Sequence, residues 1–155
     1  MSFDIHEKLK SLNLSLPKAA APAANYVPFT ISGKTLYVAG QIPFLNGEKM
    51  HVGCVGRDLT PEQATEAARA CALNILGQVD AAVSGDWSKV KRCLKLGAFV
   101  NCVPEFTDQP AVVNGASDLM VAVLGDAGKH ARFAVGAPSL PRGVAVEIDA
   151  IFELN

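Results

Sequence analysis

From Val144 to Leu154 every even-numbered position is apolar (Val144, Val146, Ile148, Ala150, Phe152, Leu154), while Glu147, Asp149 and Glu153 occupy odd positions. Alternation of period two, sustained over that length, belongs to a strand whose two faces meet different surroundings. A purely helical fold is therefore excluded, and the apolar face needs a covering layer. That layer is legible upstream. Thr60 and Gln63 have capping-box spacing, and Pro61 sits at the first helical position, where its missing N–H is harmless. Ala64, Ala67, Ala68, Cys71, Ala72, Ile75, Leu76 and Val79 then line one helical face, small enough for close approach to a sheet.

The remaining segments complete an alternating pattern. Phe3 to Leu12 has helical spacing, with Ser2 or Asp4 available as a cap, and Pro17 to Ala24 reads as a linker. Residues 1–24 are thus an N-terminal helix and linker ahead of a domain spanning 25–155. Val27, Phe29 and Ile31, then Leu36 and Val38, predict a hairpin turning at Ser32-Gly33, with Pro43 closing the second strand. Asp86 to Lys89 reads as a capped single turn. Leu94 to Asn101 alternates as a strand. A second helix runs from about Pro110 to Leu124, with Val113, Ala116, Met120 and Val123 inward and Gly125 as its stop. Gly115 inside it costs about 1 kcal/mol against alanine. Arg132 to Ala137 and Val144 to Leu154 are the last strands. The order β-β-α-β-α-β-β gives an α+β fold, a mixed sheet with two main helices on one face. Ala145, Ile151, Phe99 and Gly97 make the other face too apolar to be wet, which calls for a partner subunit.

Composition narrows the function classes. The chain has 155 residues, half of them apolar, a formal net charge of −1 and only 19% charged residues. One domain fits that length, and the low charge suits surface buried by self-association. Neither a basic stripe nor an aromatic platform for nucleic acid is visible. No apolar run reaches the roughly 20 residues of a membrane span. The charged N-terminus is unlike a signal peptide, and Cys54, Cys71, Cys93 and Cys102 show no CxxC, so the chain reads as soluble, reduced and cytoplasmic. Gly33-Lys34-Thr35 imitates the end of a P-loop, but Pro28 stands where that motif needs its first glycine. His6, His51 and His130 lack metal-ligand spacing. There is no GxSxG element.

Arg132 and Glu147 remain, each on an interior-looking strand among small apolar neighbours. A guanidinium in a partly dry cleft suits bidentate capture of a carboxylate. A carboxylate nearby can orient or deprotonate a water. Read from the residues alone, the two serve equally well as a structural salt bridge. His130, two residues before Arg132, is either a pocket residue or a surface histidine at a strand start.

The run Ala131 to Ala150 resembles the signature of the Rid/YjgF family, the reactive-intermediate imine deaminases. That signature is an arginine strand, a Leu-Pro turn eight residues on (Leu140-Pro141), and a V-E-[IV]-x-A strand (Val146 to Ala150). Gly40-Gln41-Ile42-Pro43 is similar to its G-Q-I-P element, and Asn114 matches an asparagine opening its second helix. The resemblance covers about residues 25 to 154. It implies a chorismate-mutase-like fold and a homotrimer whose sheets form a central barrel, with sites in the clefts between subunits. It also implies Arg132 holding the carboxylate of a 2-imino or enamino acid, Glu147 positioning water, and Tyr26 lining the cleft from a neighbouring subunit. No cofactor or metal is implied, because a protonated imine is already electrophilic. Ala39 stands where the deaminases have serine, and Ala134 where they often have cysteine. Ser117, Asp118 and His130 are the candidate replacements. The chain is also longer, with the N-terminal helix and an insertion around Leu45 to Arg57. A carboxylate-sensing module without turnover is the alternative function, and the endoribonuclease label of some members is a third.

Overall fold

The computed structural model describes residues 4–21 and 24–155. In chain order the elements are helix α1 (Ile5–Ser11), a hairpin of β1 (Phe29–Ser32) and β2 (Thr35–Gln41), and a small hairpin of β3 (Phe44–Leu45) and β4 (Glu48–Lys49). Helix α2 (Pro61–Val83), strand β5 (Val90–Asn101), helix α3 (Gln109–Leu124) and strands β6 (Ala131–Ala137) and β7 (Val146–Leu154) follow. Strands pair in the spatial order β1-β2-β7-β5-β6, and only β5 and β6 run parallel. The parallel pair is the one joined through a helix, as a crossover requires. α2 and α3 cover one face of this mixed sheet. The β3–β4 hairpin, inside the predicted insertion, had no alternation to announce it.

The alternation of β7 is obeyed: Val146, Ile148, Ala150 and Phe152 are buried beneath the helices. Both capping-box bonds at Thr60 form, Gln63 N–H to Thr60 Oγ1 (3.2 Å) and Thr60 N–H to Gln63 Oε1 (3.0 Å). The small-residue stripe of α2 is fully buried. Strand β5 starts earlier than its alternation suggested. Register shifts between Val90 and Arg92 and between Cys93 and Lys95 put buried Cys93 out of step with Val90 before it and Leu96 after it, and leave Leu94 half-buried. In α1, Asp4 is the cap, its Oδ1 accepting from Glu7 N–H (3.0 Å); Ser2 and Phe3 lie outside the described residues. Ile5 and Leu9 join the same hydrophobic core as the helices and sheet. Gly33 turns the first hairpin with φ 58°, in no position to cradle a phosphate. All four cysteines are buried and free. No helix among the described residues is long and apolar enough to cross a membrane.

The uncovered face carries exposed Tyr37, Phe99, Phe133 and Val135, with Ile151 half-buried beside them. Phe99 meets Phe133 edge-on, with ring centroids 5.4 Å apart. A patch of this kind is a surface fit for a partner. Ala145 does not belong to it. It precedes β7, and its carbonyl accepts from Asn101 N–H (2.8 Å) while its side chain is buried.

Gly115 explains how α2 and α3 come so close. A Cβ at that position would drive into the carbonyl oxygen of Thr65 on α2, a backbone atom that cannot step aside. The propensity gain of a Gly115→Ala change, about 1 kcal/mol, is therefore outweighed by overpacking. The substitution is expected to destabilise the fold by a net ~1–2 kcal/mol, lowering Tm by about 3–6 °C in thermal denaturation.

Candidate functional site

Arg132 is the second residue of β6 and pairs in register with buried Leu96 of β5, so it shares the helix-covered side of the sheet. Its Nη1 donates to Ser117 Oγ (3.0 Å) and its Nη2 to the Pro110 carbonyl (3.1 Å), both on α3. His130 extends the chain of contacts. Its Nδ1 lies 2.6 Å from the Gly128 carbonyl oxygen and its Nε2 2.9 Å from Ser117 Oγ. A carbonyl only accepts, so Nδ1 bears the proton, and in the neutral ring Nε2 accepts from the Ser117 hydroxyl. Ser117 thus donates to His130 and accepts from Arg132. Among the described residues no carboxylate pairs with Arg132. The salt bridge to Glu147 that the residue types allowed is absent.

Other sequence-named residues gather on this side. Asn114 lies three positions before Ser117, hence on the same face of α3, and is exposed. Ala134 follows Arg132 on the same side of β6, half-buried against the core, with a methyl in place of a thiol. Asp118 departs from the group. It lines a hollow on the helical surface with Thr65, Glu66 and Arg69.

Glu147 belongs to a different place. Between Val38 and Gln41 the pairing of β2 with β7 slips, and the chain then leaves the sheet. A cleft of about 430 Å³ opens there, lined by Tyr26, Gly40, Asn74, Pro141, Arg142 and Glu147 among others. Gly40 has a physical reason. A Cβ on it would sit 2.5 Å from Glu147 Oε1, so the glycine makes room for the carboxylate. Burial, then the neighbouring charge of Asp149, pushes the Glu147 carboxyl above its ordinary range. Asn74 Nδ2 holds the departing chain by donating to the carbonyls of Ile42 (3.0 Å) and Phe44 (2.7 Å). Ala39 lies at the bulge, its N–H bonded to the Pro28 carbonyl (2.9 Å) and its carbonyl accepting from Gln41 Nε2 (3.0 Å). Tyr26, exposed, is in this half and not beside Arg132.

The two halves do not meet within one chain. Arg132 is level with Leu96, whereas Glu147 pairs with Phe99, on the side away from the helices. Two strand spacings and three residues of rise separate their backbones by roughly 14 Å. Sequence reasoning missed Asn74 and Arg142. Asn74 carried a signal, as a polar residue flanking the small apolar stripe of α2; Arg142, in the Pro141-Arg142-Gly143 turn, carried only the turn itself. Among the described residues no three histidine, cysteine or carboxylate side chains converge to hold a metal.

The family model that matches carries the description "YjgF/chorismate_mutase-like, putative endoribonuclease" and spans residues 6–153. The chain is 50% identical over 148 residues to Protein TCP17 of Trypanosoma cruzi, covering 95% of this chain and 92% of that protein. It is similar to the solved structure of Atu1372, a protein of unknown function from Agrobacterium tumefaciens. That match has 54% identity and a TM-score of 0.92, covering 97% of this chain and 92% of the other. A structure from Shewanella oneidensis, described as "a putative endoribonuclease", matches at 31% identity and TM-score 0.92 over 97% of this chain and 99% of its own. The fold is of the YjgF/chorismate-mutase-like class. The chain belongs to that family, and the match takes in most of the N-terminal segment as well as the sheet and helices.

The upward shift of Glu147 has a sign that can be checked. A carboxyl that holds its proton more tightly when folded makes folding less favourable as pH rises from the unfolded value through the folded one. Glu147→Gln removes that penalty. The variant is expected to melt above the wild type at pH 7, and the difference should vanish below about pH 4, where both forms are neutral.

Proposed function

We propose that this protein is a cofactor-free hydrolytic deaminase of small 2-imino and enamino acids, working in clefts between the subunits of a cytoplasmic homotrimer. The observation that carries this reading is Arg132, a guanidinium fixed by a hydroxyl and a carbonyl, with no carboxylate among the described residues of its own chain bonded to it. A cation held by neutral acceptors keeps its charge for an anionic ligand, and its planar fork matches a carboxylate. Glu147, partly desolvated and unpaired in its own cleft, is suited to take a proton.

The reaction needs little more. Water adds to the carbon of the protonated imine as Glu147 accepts its proton. The tetrahedral carbinolamine forms while its carboxylate stays on Arg132. Returning the proton to nitrogen makes it a leaving group; as the C–N bond breaks, the carbinolamine hydroxyl gives its proton to Glu147, a 2-oxo acid forms, and the departing ammonia carries that proton away as ammonium. The imine supplies its own electrophile, and the protein contributes orientation and charge stabilisation. Ser117, bonded to Arg132, is the hydroxyl nearest in role to the serine replaced by Ala39 and the thiol replaced by Ala134. The separation of Arg132 from Glu147 supports a site completed by a neighbouring chain. So does the exposed apolar sheet face. RNA cleavage fits less well, with a net charge of −1 and 6% aromatic residues.

Ammonia release from imines generated by an amino-acid oxidase provides the test. Wild-type protein is expected to accelerate it, and Arg132→Ala and Glu147→Gln should each lose at least ~100-fold in kcat/KM. Co-expressing the two inactive variants should restore about a quarter of the wild-type rate, since random assembly of a cyclic trimer rebuilds that share of intersubunit sites. Imine decay unaffected by the wild-type protein would leave the carboxylate-sensing module; no recovery on co-expression would return the site to a single chain.

A further inference from the structure

We infer that Arg142 is a second anion-binding group in the Glu147 cleft, and that it selects 2-imino acids bearing a second carboxylate. This deepens the deaminase reading and rests on taking that cleft as the reacting half of the site. The first observation is backbone strain. Arg142 has φ 59° and ψ 15°, in the left-handed region, and Gly143 follows at φ 69°. A side chain in that region carries a steric cost that a glycine would avoid. Such an outlier persists only where the surroundings impose it, and it is a reason to ask what the side chain does.

The surroundings here belong to the insertion. Gly53 N–H donates to the Gly143 carbonyl (2.8 Å), and Val52 forms an isolated bridge with Val144. Buried Asn101 clamps both segments, its Nδ2 donating to the carbonyls of Gly53 (3.3 Å) and Val144 (3.2 Å). A Cβ on Gly143 would meet Val52 Cγ1 at 3.4 Å, an ordinary contact distance, so the insertion lies directly against the turn. The segment around residues 45–57 thus holds Arg142 at the rim of the cleft.

Charge is the second observation. Arg142 is the one cation among the residues lining that cleft, and no carboxylate lies within ion-pair distance of it among the described residues. Glu147 lines the same cleft without pairing with it. A guanidinium against that carboxyl would pull its pKa down, whereas burial and Asp149 push it up. The cleft therefore offers an acid and a separate, unpaired cation. With the 2-carboxylate on Arg132 of a neighbouring subunit and the imine carbon at Glu147, the side chain of the substrate is what remains for Arg142. An anionic side chain is its chemical complement.

Calorimetry with two stable 2-oxo acids tests this without turnover: 2-oxoglutarate, with a second carboxylate, and 2-oxobutanoate, without one. The wild type is expected to bind 2-oxoglutarate about ten-fold or more the tighter. In Arg142→Gly, which suits the left-handed turn and should fold normally by thermal denaturation, the preference should shrink to about two-fold or less. Arg142→Lys should recover part of it. Equal affinities in the wild type, or a preference that survives in Arg142→Gly, would overturn the inference. Dicarboxylate preference lost in Arg142→Gly, in a protein that hydrolyses no imine, would uphold the anion site and count against deamination alone. Binding of neither acid would sink both.

Discussion

Coverage of β7 on one side only is the constraint from which the rest of this molecule follows. The strand runs between β2 and β5, so both of its backbone edges are satisfied over most of its length. Its even-numbered side chains lie under α2, while α3 covers the neighbouring β5 and β6, and its odd-numbered ones face away. α2 can lie so close because its inward stripe is largely alanine, and α3 can lie so close to α2 because Gly115 has no side chain. Sheet and helices form one core, to which α1 adds Ile5 and Leu9.

Where this layering stops, polar chemistry begins. At one edge β6 has no further neighbour, and Arg132 is met there by Ser117 and Pro110 of α3. At the other end of the site β2 leaves β7, and Glu147 occupies the room that Gly40 vacates. Both are places where a sheet has lost a partner. Each leaves a charged group short of water without an opposite charge bonded to it, an arrangement costly for a structural role alone and suited to a ligand.

The extra segments also acquire a physical role. The residues around 45–57 are stitched by Gly53 and Asn101 to the turn before β7. The stretch after α1 passes over α2, where Gln78 Nε2 donates to the Ala20 carbonyl (2.9 Å), and Ala20 and Ala21 reach the wall of the Glu147 cleft. Both additions converge on one cleft, although they are far apart in the chain.

Element types and their buried faces were legible from periodicity, because alternation and helical spacing are local properties. The capping box at Thr60, the stripe of α2 and the alternation of β7 all appear as the residues alone implied. Arg132 and Glu147 were legible as candidates, being charges on strands that otherwise bury apolar side chains. What they do to one another was not, since pairing depends on which side of the sheet each one faces and on the strand between them. The contact of Ser117 with His130 and Arg132 joins a helix to an edge strand. The turn that carries Arg142 is bonded to a segment ninety residues earlier, Gly53 N–H donating to the Gly143 carbonyl. Local pattern sets the elements and the charged groups, whereas which of those groups share a cleft depends on the whole fold, because non-local packing selects the neighbours that local periodicity leaves open.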